Sequence, residues 1–131
     1  MLRLLLSGLA ILVAWTVLDL LMHRIVLEPL YKQNPSLWRP FDQMNTLLIY
    51  VVIFTLIAIF VVTYWQLVTP KSLGMGLRLG ALLGLALGIS SGFGTYIHMP
   101  IPLALAYGWL IAGLLKGVAA GAILGVLIQD Y

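Results

Sequence analysis

Residues 76–92 read GLRLGALLGLALGISSG, with a glycine at every fourth position. A second apolar stretch, residues 113–125, reads GLLKGVAAGAILG and repeats the same spacing. Four-residue spacing places successive glycines near one face of a helix. In lipid, such a face lets a neighbouring backbone approach closely because no Cβ lies between them. The two stretches therefore predict two helices that pack against each other through glycine.

The glycine stripe turns slowly around its helix, because four residues advance about 40° beyond one full turn. Partners that follow such stripes are expected to cross at an angle, as in right-handed contacts between small residues. The predicted packing positions are Gly80, Gly84, Gly88, Gly92, Gly113, Gly117 and Gly121. Two alternatives stay open: a backbone approach to a ligand, and self-association through the unused part of a stripe.

Apolar runs of membrane-spanning length fill most of the 131 residues, of which 63% are hydrophobic and 8% charged. A soluble domain would carry roughly a quarter charged residues. The runs cover about residues 4–27, 46–69, 77–97 and 102–128, and roughly 20 residues suffice to cross a bilayer. Backbone groups in lipid must bond within their own segment, so the runs are expected to be helices. The predicted fold is all-α, an integral membrane four-helix bundle forming a single transmembrane domain.

The composition also excludes several function classes. The chain has no cysteine, which rules out disulfides, thiol catalysis and thiolate metal ligands. No cluster of Lys or Arg is present, so nucleic acid is not an expected partner. No catalytic triad, phosphate-binding loop or carboxylate pair within a span is visible, so we assign no catalytic residue and the sequence offers no argument for an enzyme.

The distribution of positive charge sets the expected orientation. One side would hold Arg3, Lys71 and Arg78, and the other Arg24, Lys32 and Arg39. This count is tied, and basic residues in short loops favour the cytoplasmic side. The free amino terminus and the short second loop tip the expectation toward both termini being cytoplasmic.

Ionisable residues within the spans are the strongest pointers to function, because they are costly in lipid and need partners. Thr16, Asp19 and His23 lie on one stripe of the first span, and Asp19 and His23 are spaced to hydrogen-bond directly. Lys116 lies near the middle of the fourth span, turned away from the glycine contact. We expect Lys116 to reach Asp19; the alternative is that it extends to the interface or meets a backbone carbonyl.

The two histidines lie in mirrored dipeptides, Met22-His23 and His98-Met99. Imidazole and thioether ligands suit copper(I), and two imidazoles suit haem iron. The alternative is a hydrogen-bonding histidine at the interface with no cofactor.

The first loop holds the motif Leu37-Trp38-Arg39-Pro40. Arg39 is a candidate contact for a lipid phosphate or another anion, with Trp38 at headgroup level. The simpler interpretation is a loop that lies on the bilayer surface.

Asp19 to His23, the Leu37–Pro40 motif, Gly94-Thr95-Tyr96 and Met99-Pro100-Ile101-Pro102 together resemble small uncharacterised bacterial four-helix membrane proteins. The resemblance implies a multi-pass protein of the bacterial inner membrane and implies no activity. Because the chain has so little mass outside the spans, our leading expectation is function by association, as an accessory subunit of a membrane complex or as a homo-oligomer in lipid. The alternatives are a small transporter or channel that uses Asp19, His23 and Lys116, and a metal- or haem-binding protein.

Overall fold

The computed structural model describes residues 1–130, which form helices joined by short connections. The chain begins with α1 (Leu2–Leu21), which continues through a π-helical turn (Met22–Val26). A short helix, α2 (Glu28–Gln33), and two 3-10 turns (Pro35–Leu37 and Phe41–Gln43) lead to α3 (Thr46–Leu67). The chain then forms α4 (Leu73–His98) and α5 (Leu103–Leu127).

Four helical segments within residues 1–130 are long and apolar enough to cross a membrane. They contain 25, 22, 26 and 25 residues, and the first includes the π-helical turn. Length and composition therefore indicate a multi-pass membrane protein, and the predicted all-α class is confirmed. The third and fourth predicted spans correspond to α4 and α5.

Side-chain caps set two helix starts. The Oγ of Ser72 accepts a hydrogen bond from the backbone N–H of Met75 at 3.1 Å, and α4 therefore begins at Leu73, four residues before the predicted span. The side chain of Asn45 caps α3 in the same way, through the N–H of Leu48 at 3.0 Å. Both caps satisfy N–H groups that a helix start leaves without a partner.

Helices α4 and α5 lie against each other along their glycines. A Cβ added at Gly84 would lie 2.9 Å from the Cα of Gly117, and one at Gly113 would lie 2.7 Å from the Cα of Gly88. Such distances are too short for real Cβ atoms, so no side chain fits between these two backbones. The same backbone-to-backbone approach occurs at Gly76, Gly80, Gly88, Gly92, Gly117, Gly121 and Gly125.

Helix α5 lies at the centre of the bundle and contacts α4, α1 and α3. At the end that holds both termini, the Tyr64 hydroxyl donates to the carbonyl of Ile128 at 2.9 Å, which ties α3 to the end of α5. Tyr64 belongs to an apolar cluster of side chains from three helices, which also contains Ile11, Trp15, Ile57, Phe60, Ala120 and Leu124. At the opposite end, which we call the α2 end, a smaller cluster contains Leu27, Ile101, Leu105 and Ala106.

Candidate functional site

A cavity of about 390 Å³ lies among the four long helices between these two apolar clusters. Helix α1 supplies Asp19 to its lining, α5 supplies Lys116, and the π-helical turn supplies His23. The rest of the lining is mainly apolar and aromatic, and comprises Trp15, Leu56, Phe60, Leu87, Ser91, Trp109, Ala112, Gly113 and Gly117. We call this space the central cavity.

An ion pair forms one wall of the central cavity. The Nζ of Lys116 lies 3.1 Å from Oδ1 and 3.2 Å from Oδ2 of Asp19. The two side chains are only 23% and 32% exposed, so water screens the pair weakly. This contact agrees with the pairing predicted from the sequence, in which Lys116 turns away from the glycine face and toward α1.

Trp15 supports the same wall from α1. Its Nε1 donates a hydrogen bond to the backbone carbonyl of Lys116 at 2.8 Å, and the Lys116 ammonium lies 4.8 Å from the centroid of its ring. The indole is almost fully buried and meets the Phe60 ring edge-on at 5.4 Å. Trp15 therefore fixes both the main chain and the charge of Lys116, through a cation–π contact.

His23 continues the polar line toward the α2 end. Its Nδ1 lies 2.5 Å from the hydroxyl of Tyr31, and its Nε2 lies 3.8 Å from Oδ1 of Asp19. The expected direct hydrogen bond between His23 and Asp19 is therefore absent, because 3.8 Å exceeds hydrogen-bond distance. The carboxylate turns to Lys116 instead, and the imidazole turns to Tyr31.

The π-helical turn brings His23 and Tyr31 together. Within it the N–H of Leu27 bonds to the carbonyl of Met22, five residues earlier, at 2.7 Å. Pro29 follows in the first turn of α2, and a proline has no N–H to continue a regular helix. The wider turn redirects the chain, so Tyr31 returns over the helix that holds His23.

Tyr31, Trp38 and Trp109 form an aromatic cluster at the α2 end of the central cavity. Trp109 Nε1 donates to the Tyr31 hydroxyl at 2.7 Å, and Trp38 Nε1 donates to the Tyr31 carbonyl at 3.1 Å. The ring centroids of Trp38 lie 5.2 Å from Tyr31 and 5.9 Å from Trp109. Burial raises the pKa of the Tyr31 hydroxyl above its ordinary value of 10.0, so this group stays protonated well into the alkaline range.

Two expected site residues lie apart from this arrangement. Thr16 is exposed, and its hydroxyl donates to the carbonyl of Leu12 on its own helix at 2.8 Å. His98 is exposed at the end of α4 and is not part of the cavity lining. The structure thus brings together Asp19, His23 and Lys116, and leaves Thr16 outside.

The geometry lends no support to a metal or haem centre built from the two histidines. His23 has Tyr31 and Asp19 as its polar neighbours. Met22 and Met99 pack instead against the apolar cluster at the α2 end. Across residues 1–130, no three His, Cys, Asp or Glu side chains lie close enough together to hold a metal ion.

The two residues of the predicted lipid contact are placed differently from each other. Trp38 is half-buried within the aromatic cluster. Arg39 is exposed and lines a shallow groove beside the first half of α3, together with Met44, Asn45, Leu48, Ile49, Val52 and Ile53. Only Arg39 therefore remains available to an anion outside the bundle.

Sequence reasoning missed Trp15, Tyr31 and Trp109 as parts of this site. A signal was present, because Trp15 precedes Asp19 by four residues and Trp109 precedes Lys116 by seven, and both spacings keep residues on one helix face. Tyr31 carries no such signal, since its position depends on the π-helical turn.

The site is an ion pair in a mainly apolar cavity, extended by a hydrogen-bonded histidine and bordered at the α2 end by aromatic rings. Comparison with protein-family models, with curated proteins and with solved structures finds no match to this chain. Any statement of function therefore depends on the geometry of this site.

Proposed function

We propose that the protein is a small membrane transporter whose central cavity binds a small ligand within the bilayer. The observation that carries this proposal is that Asp19, His23 and Lys116 line one cavity. Its volume of about 390 Å³ falls within the range of ligand sites, roughly 300–1,000 Å³. Ionisable residues inside membrane spans are typical of substrate pathways.

The space beside the ion pair argues against a purely structural role for it. A pair that only joins α1 to α5 is best served by close packing, since unfilled volume costs dispersion contacts. Here Lys116 and Asp19 meet beside open space rather than beneath packed side chains. That arrangement leaves the charges accessible to a ligand.

In this proposal, the glycine contact between α4 and α5 forms a rigid wall of the central cavity. Gly113 and Gly117 belong both to the lining and to the contact with α4. In a bilayer, close backbone packing of this kind holds helices together where lipid offers no hydrophobic drive. In the proposal, α1 and α3 are the elements that move against this wall.

The proposed setting is the bacterial inner membrane with both termini in the cytoplasm. The α2 end and the aromatic cluster then face outward. The count of positive charges does not decide between the two orientations, and the short second loop with Lys71 supports this choice.

Single cysteines test the central cavity directly, because the chain has no cysteine of its own. Ser91 and its neighbour Ser90 are both exposed on α4, but only Ser91 belongs to the cavity lining. In lipid vesicles, a membrane-impermeant thiosulfonate should modify Ser91→Cys at least about tenfold faster than Ser90→Cys, because only a hydrated thiol ionises and reacts. Reagent applied to each face in turn should reach Ser91→Cys from both. Equal rates for the two variants would contradict a ligand site in the cavity. Access from one face only would indicate a binding protein instead of a transporter.

Association remains a second candidate, supported by the first half of α3. Its first buried residue is Ile57, and the preceding turns are largely exposed. Exposed apolar side chains surround this part of the helix: Leu47, Leu48, Ile49, Tyr50, Val51, Val52 and Phe54. A second copy of the chain, or a helix of a larger complex, could cover it.

Blue-native sizing of solubilised native membranes tests this second candidate. A species larger than one chain would support it, and mass spectrometry of that species would separate a homo-oligomer from a subunit of a complex. A replacement of Val52 by Trp, in the exposed half of α3, should then dissociate the species. A lone monomer in mild detergent would contradict association.

A further inference from the structure

The central cavity presents unused hydrogen-bond donors beside the ion pair. A lysine ammonium has three N–H groups and no acceptor. The Asp19 carboxylate engages Lys116 through its two oxygens, and within residues 1–130 no other hydrogen bond of this ammonium is found. The third N–H of Lys116 has only the Trp15 ring as its neighbour, with the ammonium 4.8 Å from the ring centroid. A carbonyl oxygen in the cavity is a stronger acceptor for that N–H than the ring face.

His23 supplies a second donor. Trp109 donates its N–H to the Tyr31 oxygen, and we assign the Tyr31 proton to the bond with Nδ1 of His23, where the tautomer of the imidazole sets the direction. A neutral imidazole that accepts at Nδ1 carries its proton at Nε2. Nε2 lies 3.8 Å from Oδ1 of Asp19, too far for a hydrogen bond, and His23 belongs to the cavity lining, so we assign its N–H as the second donor to a ligand.

The charge of the site selects the kind of acceptor that fits. Asp19 and Lys116 already compensate each other, and His23 in this tautomer is neutral. An added anion or cation would bring an unbalanced charge into a low-dielectric space, which is costly. A neutral carbonyl oxygen satisfies donors without adding charge.

The side chains that line the cavity indicate the shape and polarity of the ligand that would fit there. Trp15, Phe60 and Trp109 present aromatic surface to the cavity, and Leu56 and Leu87 present aliphatic surface. Aromatic side chains favour flat rings in offset or edge-on contact. We propose that the ligand is a neutral, membrane-soluble ring compound that bears carbonyl groups, of the quinone class, with a carbonyl oxygen bound between Lys116 and His23. This inference rests on the proposed ligand-binding role of the central cavity.

A matched pair of probes tests the carbonyl. Menadione carries two carbonyls on a methylated naphthalene frame, and 2-methylnaphthalene has the same frame without them. The chain has no cysteine, so menadione cannot be trapped by thiol addition. Isothermal titration calorimetry in lipid nanodiscs measures the binding of each probe without requiring a chromophore, and Ser91→Phe, which fills the cavity, corrects for probe dissolved in lipid. Ser90→Phe is the control that places the same ring outside the cavity lining.

Variants of His23 test the second donor without touching the ion pair. We expect His23→Leu to weaken menadione binding by about three- to tenfold, the usual effect of one lost hydrogen bond. His23→Gln keeps a side-chain N–H and should recover most of that loss. His98→Leu removes the other histidine, outside the cavity lining, and should leave binding unchanged.

The outcomes separate this inference from the proposed function. Menadione binding that exceeds 2-methylnaphthalene binding and falls in His23→Leu supports the carbonyl site. Equal binding of the two probes overturns the carbonyl inference but keeps the cavity as a ligand site. Tighter binding of octane sulfonate or octyltrimethylammonium than of menadione overturns it in favour of a charged ligand. Failure of all four probes to bind, with equal labelling of Ser91→Cys and Ser90→Cys, removes the proposed function itself.

Discussion

The Asp19–Lys116 pair is costly to break and costly to bury. Moving each charge out of water carries a large penalty, which the mutual attraction and the cation–π contact with Trp15 offset. Removing one partner leaves the other without compensation in an apolar setting. Removing both charges takes away the penalty together with the attraction. The free energy of unfolding of the double variant is therefore expected to lie closer to that of the parent than that of either single variant does.

We therefore expect Lys116→Gln and Asp19→Asn each to lower the free energy of unfolding by about 1–3 kcal/mol, below the value for fully buried pairs because both side chains are partly exposed. The double variant should recover more than half of that loss. Thermal unfolding in detergent measures the coupling as a double-mutant cycle. The exposed pair Lys32–Glu28, 3.4 Å apart, is the control, and its cycle should give about 0.5 kcal/mol or less. A coupling no larger than this control would contradict the role given to the pair.

Tyr31→Phe tests the hydrogen bonds that hold the aromatic cluster to His23. The change removes the group that accepts from Trp109 and donates to His23, which leaves two polar groups without that partner. We expect a loss of about 1–3 kcal/mol in the free energy of unfolding and a changed Trp109 fluorescence. Tyr107→Phe, at an exposed tyrosine, is the matched control and should have little effect. Equal effects of the two changes would show that the Tyr31 hydroxyl is not engaged.

The pKa of Tyr31 predicts a pH effect with a definite sign. Burial raises this pKa above the ordinary value of 10.0, so at alkaline pH the folded chain keeps a proton that the unfolded chain loses. The stabilisation is complete below pH 10 and declines as pH rises through the folded-state pKa. Tyrosinate absorbance should show a late step whose amplitude Tyr31→Phe reduces.

At the scale of single elements, helix α4 contains a glycine that contacts α5 and another that faces open space, and the two can be compared directly. A Cβ at Gly84 would meet the backbone of α5, whereas a Cβ at Gly94 would meet nothing within 4 Å. Gly84→Ala should therefore lower the free energy of unfolding by about 1–3 kcal/mol through overpacking. Gly94→Ala should be neutral or stabilising by up to about 1 kcal/mol, because alanine favours the helix. Similar thermal shifts for the two variants would show that close backbone contact is not what holds the hairpin.

The elements differ in how far the sequence could predict them. Apolar length and the prolines at 70, 100 and 102 indicate the four long helices, because both signals are local. The Lys116–Asp19 contact was also predictable, since few partners exist for a charge in lipid. The π-helical turn and the return of Tyr31 over His23 were not, because they depend on how α2 packs against α5. The cavity is likewise a product of packing among four helices and has no local signature.

At the scale of the whole molecule, the bundle has two structural parts, the α4–α5 hairpin and the helices that pack against it. Close backbone contact makes α4 and α5 a single unit, and α5 turns its other face, with Lys116, toward α1. The first half of α3 is largely exposed, so little packing within the chain holds it in place. A ligand that enters the central cavity would displace α1 or α3 rather than the hairpin, and a disulfide between α4 and α5 should leave binding intact.

The orientation of the chain in the membrane determines which end of the central cavity faces the cytoplasm. The count of basic residues is tied between the two sides, so the expectation of cytoplasmic termini depends on the short second loop. Ser36 lies exposed in the connection after α2, and Gln129 lies exposed after α5, on the opposite side of the bundle. In intact bacteria, an impermeant maleimide should label Ser36→Cys and spare Gln129→Cys, and lysis should expose both. Labelling of Gln129→Cys in intact cells would contradict the expected orientation, and the aromatic cluster would then lie at the cytoplasmic end of the central cavity.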